Sequence, residues 1–68
     1  MTTVGEELPK EVERVRDEVM PAYQSVGQQG AVVLGWMRAS VDRAEKAMAS
    51  GDVVEMVRAY KELRGYSL

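Results

Sequence analysis

Nucleophilic catalysis needs an activated Ser, Thr or Cys with a base to take its proton. The 68-residue chain contains neither Cys nor His. Ser25 and Ser50 fit helix-cap patterns, and Ser40 falls in the middle of a helical pattern with no imidazole to activate it. Carboxylates are more numerous. Glu6, Glu7 and Glu11 cluster near the start of the first helical segment, and Glu13 and Asp17 lie one turn apart. A di-metal bundle would need inward carboxylates and a Glu-x-x-His motif. These acids fall on the polar face, and the usual nitrogen and sulfur ligands of zinc are missing from the sequence. The expectation is a non-enzymatic protein with no catalytic residues, no metal and no cofactor.

The residues suited to recognition are concentrated elsewhere. Trp36, Met37 and Arg38 are consecutive, and Trp and Arg are among the side chains most enriched at the energetic centres of protein interfaces. Gly27, Ala31, Gly35 and Ala39 recur every four residues, a row that would let another helix backbone come close. Glycine inside a helix costs up to about 1 kcal/mol relative to alanine, so Gly35 implies a packing reason: another helix of the same chain, a second copy, or space for a ligand or partner side chain. Trp36 itself reads equally well as the core anchor of a bundle. The candidate interface residues are Tyr23, Ala31, Gly35, Trp36, Met37, Arg38 and Ala39.

Three helical segments must position these residues. In the first, about 8–24, Leu8, Val12, Val15, Val19, Ala22 and Val26 are spaced four, three, four, three, four, an apolar seam on one face. Pro9 suits the first turn. Pro21 interrupts the segment and predicts a kink or short break near Met20. Ser25 with Gln28 three residues on fits a capping box in the following loop. The second segment, about 29–49, has the seam Leu34, Met37, Val41, Ala44 and Met48, with further apolar residues on other faces of its first half. Ser50-Gly51-Asp52 punctuates the chain: Gly51 suits the left-handed position after a helix, and Asp52 with Glu55 reads as the next cap. So short a link predicts an antiparallel hairpin. The third segment, about 53–64, places Val53, Met56, Val57, Tyr60 and Leu63 inward, and Tyr66 and Leu68 after it either fold back or fray. The expected fold is all-α: a hairpin of the second and third helices with a kinked first helix across it, one domain over residues 1–68.

Composition narrows the partners. With 46% hydrophobic and 29% charged residues the chain is ordinarily globular. A fold of this size buries only about 60% of its unfolded surface, and oligomerisation is one of the few stabilising devices open to it without Cys. A second copy or another protein is therefore the expected partner, with a small ligand held between protomers by Tyr23, Trp36 and Arg38 as the alternative. A net charge of −2 argues against a nucleic-acid partner. The first seven residues lack the basic start and apolar stretch of a signal peptide, and no apolar run approaches the ~20 residues of a membrane span. The expected location is the cytoplasm.

Two resemblances add to this reading. Gly51-Asp52-Val53-Val54-Glu55-Met56-Val57-Arg58-Ala59-Tyr60-Lys61-Glu62-Leu63 resembles the second helix of a tetratricopeptide-type hairpin. Met56 stands where that pattern has a small residue, and a single hairpin falls short of an array. The layout of Leu8-Pro9, Arg14-Val15, Pro21-Ala22-Tyr23, the Gly27–Gly30 turn, Gly51-Asp52-Val53, Tyr60 and Leu63-Arg64-Gly65 is similar to that of small all-helical accessory proteins of phages and prophages. That resemblance implies an accessory role such as inhibition of a host complex, including a defence complex, and assigns no functional residues.

Overall fold

A computed structural model describes residues 3–67. All regular structure among them is helical, in three layers connected by two short turns. The first layer is a continuous rod of α1 (Val4–Arg14), a π-helical turn (Val15–Val19) and α2 (Met20–Gln24). A 3₁₀ turn (Gly27–Gly30) leads into the long α3 (Ala31–Ser50), and α4 (Val53–Arg64) returns antiparallel to it. α4 packs against both α3 and α1, while α2 reaches the start of α3. The molecule measures 36 × 21 × 15 Å, and among the described residues no helix is long and apolar enough to cross a membrane.

Helix one begins at Val4, four residues before the expected start, so Pro9 lies inside the helix rather than in its first turn. The group that loses its partner there is the carbonyl of Gly5, on an exposed stretch where water can replace the missing N–H. Pro21 has a larger effect. In an α-helix it would leave the carbonyl of Asp17 without a donor and drive its ring into that carbonyl. The helix responds by widening: Met20 N–H donates to Val15 O, five residues back. One more residue enters that turn, so everything beyond is set back by about one position around the axis. Val15 and Val19 remain buried, but the inward face then passes to Met20 and Tyr23 instead of Ala22 and Val26. Val26, placed on the seam by its spacing, is 55% exposed.

The expected capping box at Ser25 is not formed. Ser25 Oγ donates back to Ala22 O, and the residue before the 3₁₀ turn is Val26, which has no capping side chain. Gly30 sets the approach of the two helices instead: a Cβ there would overlap the carbonyl oxygen of Tyr23. The second connection follows the expected pattern in part. Gly51 takes φ 73°, its N–H donating to Ala47 O, and Asp52 Oδ1 accepts from the Glu55 N–H at 3.2 Å. The reciprocal half of the box is replaced, since Asp52 N–H donates to Ser50 Oγ and Glu55 pairs with Arg58.

The core comprises Leu8, Val12, Val15, Val19, Met20, Met37, Val41, Ala44, Ala59 and Leu63. The expected seam of α3 is retained, with Leu34 and Met48 packed at its edges. α4 presents Met56, Ala59, Tyr60 and Leu63 inward. Val53 and Val57, expected on that face, are on the surface with Val54. Tyr66 folds back against the core; the same expectation for Leu68 lies outside the described residues.

A candidate docking surface on helix three

The outward half of α3 follows from its inward half. Met37, Ser40, Val41, Ala44 and Ala47 are buried; the opposite face therefore carries Ala31, Val32, Gly35, Ala39, Asp42 and Lys46, all exposed. Trp36 flanks this face on one side and Arg38 on the other, because positions two apart lie about 200° apart around an α-helix. Trp36 is 60% exposed and Val32 63%. Gly35 lies on the row beside them, and a Cβ built on it would meet nothing within 4 Å. Among the described residues, no helix of the same chain approaches the small-residue row, and Trp36 is not part of the core.

The remaining candidate residues separate. Ala31, Gly35, Trp36, Arg38 and Ala39 are on the exposed face. Met37 is fully buried, one position around the helix from Trp36, so it backs the face without belonging to it. Tyr23 is also removed from it: after the set-back caused by the π turn its ring packs against the core, and its hydroxyl donates to Ser67 O at 3.2 Å. Tyr23, Trp36 and Arg38 thus line no common pocket within one chain. Shallow clefts lie at Arg43, Lys46, Ala47, Ser50 and Glu55, at Lys10, Glu13, Arg14, Asp17 and Glu18, and at Arg43, Glu55, Arg58, Ala59 and Glu62.

Charges around the face divide into paired and unpaired. Arg14, Arg16, Arg43 and Arg58 each hold a carboxylate. Arg64 lies over the Tyr60 ring, 5.6 Å from its centroid. Arg38 and Asp42, both exposed and one turn apart on α3, make no ion pair or side-chain hydrogen bond among the described residues. No match to a family model is found, and no curated protein or solved structure shows significant similarity to the chain.

A polar cluster that the pattern of the sequence did not announce fixes α3 to the rest of the molecule. Ser40 falls between seam residues and is 1% exposed. Its single proton goes to a Glu62 carboxylate oxygen, so the Tyr66 hydroxyl is the donor in the 2.9 Å contact with Ser40 Oγ. Arg43 donates to the same Glu62 oxygen. Partial burial pushes the Glu62 carboxyl upward, but the hydrogen bonds from Ser40 and Arg43 and the charge of Arg43 outweigh it and hold the group below its ordinary value. Arg14 completes the clamp from α1: it donates to Leu63 O at 3.0 Å and Tyr66 O at 2.9 Å, and pairs with Glu11. Leu63 O belongs to the last turn of α4, a favourable place for a cation, and it also accepts the Tyr66 N–H. The only sequence signal was a serine at core spacing. The cluster ties the middle of α3 to α4 and to Tyr66.

Proposed function

We propose that the chain is a non-catalytic protein-interaction module whose docking face is the amino-terminal half of α3, with Trp36 as anchor and Gly35 and Ala39 as the close-approach floor. The observation that carries this reading is the pairing of an exposed Trp36 with an open Gly35 on one helix. A monomer gains nothing from either choice. An exposed tryptophan forgoes the burial of roughly 150–250 Å², and an uncontacted helical glycine weakens the helix by up to about 1 kcal/mol. Both costs are offset when another helix lies on the face. In the setting suggested by the phage-type layout, the module acts in the cytoplasm as an accessory protein on a host complex.

Substitution of Trp36 by alanine tests the reading. Truncation of a core Phe or Trp typically costs about 3–5 kcal/mol, whereas loss of an exposed anchor leaves the unfolding midpoint of dilute protein within about 0.5 kcal/mol of the parent. The expected result is an unchanged fold with association lost. A large loss of stability in the dilute chain, or full association without the indole, would remove the docking face from Trp36.

A further inference from the structure

We infer that the occupant of this face is a second copy of the chain, bound through an antiparallel, two-fold pairing of α3 with α3. The inference rests on the docking reading above and deepens it by naming the partner. Its first support is charge. Arg38 and Asp42 are exposed, one turn apart and unpaired among the described residues, while four other arginines each hold a carboxylate. A plus–minus pair along one helix edge is complementary to the same pair run backwards. A two-fold axis at the level between positions 38 and 42 sets Arg38 of each copy beside Asp42 of the other, twice, on one edge of the contact.

The second support is shape, and it comes from the other edge. In an antiparallel pair with its axis there, position 36 of one copy lies at the level of position 44 of the other. That level meets the cleft lined by Arg43, Lys46, Ala47, Ser50 and Glu55. Its α3 residues lie on the same flank as Trp36, because positions 36, 43, 47 and 50 fall within about 60° of one another around the axis. The charged edge and the Trp36 edge are thus satisfied by one symmetry operation. Trp36 enters the cleft of the second copy beside Arg43, where the guanidinium meets the face or edge of the indole. Ala39 lies close to the axis and Gly35 next to it, so the backbones can approach. The operation is isologous and closes at two copies.

The contact consists of two indoles, two ion-pair sets and a small-residue floor. That places it at the lower end of specific interfaces, roughly 1,000–1,200 Å² in total, and the assay must extend from low micromolar to millimolar protein. Sedimentation equilibrium of the parent, R38D, D42R and the R38D/D42R double variant tests the pairing. Each single variant turns two attractions into two repulsions and should weaken dimerisation on the order of tenfold. The double variant restores both pairs in reversed sense and should recover dimerisation. Because neither side chain has a partner among the described residues, circular dichroism and unfolding midpoints of dilute protein should not change. A parent that is monomeric at millimolar concentration overturns this inference and leaves the docking face for a different protein. A dimer indifferent to the charge exchange but lost in W36A overturns the antiparallel register alone. A dimer indifferent to both sets of variants overturns the docking reading with it.

Discussion

Replacing Gly35 with alanine should stabilise the isolated chain. Gly35 lies in the first half of a 20-residue helix, it is exposed, and a Cβ there meets nothing within 4 Å. The new methyl group therefore encounters neither clash nor packing gain, and the effect reduces to backbone conformation. Glycine in a helix interior is about 0.8–1 kcal/mol less favourable than alanine, largely because the unfolded chain loses more freedom on folding. For a domain of this size that corresponds to a rise of about 4–8 °C in the midpoint per kcal/mol. The assay is urea unfolding of dilute protein, followed by circular dichroism. The midpoint should rise with an unchanged slope, since the surface exposed on unfolding is the same. A fall in stability would mean that another part of the chain lies over Gly35, and the identification of an open face would fail.

Gly30→Ala should act in the opposite sense. Its Cβ overlaps the Tyr23 carbonyl, and overpacking of this kind costs about 1–3 kcal/mol, so the same two unfolding curves should move apart. Arg14→Ala should release the carbonyls of Leu63 and Tyr66. Hydrogen bonds from a charged donor are worth about 1.5–3 kcal/mol, and hydrogen exchange should accelerate first at the end of α4. The Glu62 carboxyl is held below its ordinary value, so its contribution is present above about pH 4.3, the unfolded carboxylate value, and is lost as pH falls through the lower folded one. With a side chain 38% exposed, the loss should be that of a surface pair, about 0.2–1 kcal/mol. Glu62→Gln should flatten this part of the stability curve between about pH 5 and pH 3, measured against the parent.

The hairpin of α3 and α4 was legible because its signals are local: Gly51 must supply a left-handed residue and Asp52 a cap, and neither depends on distant contacts. The seam of α3 was legible for the same reason, since its period runs unbroken from Leu34 to Met48. The first helix was legible only as far as Val19. Pro21 was expected to kink or break the helix; the structure absorbs it by widening one turn, and that adjustment carries the inward face to Met20 and Tyr23. Periodicity assumes a constant turn, so it placed Val26 inside. Val53 and Val57 were misplaced for a different reason: hydrophobicity marked them as inner, whereas α4 turns Met56, Ala59, Tyr60 and Leu63 to the core, with its Glu62 bonded to Ser40 of α3. On the exposed face of α3, sequence located the row and Trp36 but left open whether the chain covers them itself. Only the placement of α1 and α4 on the opposite side of α3 decided that.

Trp36 is the single tryptophan of the chain, so its fluorescence reports on the proposed docking face alone. Acrylamide quenching, measured on dilute protein and again on the associated form, tests the central claim most directly. The account predicts a red-shifted, readily quenched indole in the dilute chain that becomes blue-shifted and protected on association. A shielded indole in the dilute monomer, or one that stays freely quenchable in the associated form, would contradict it.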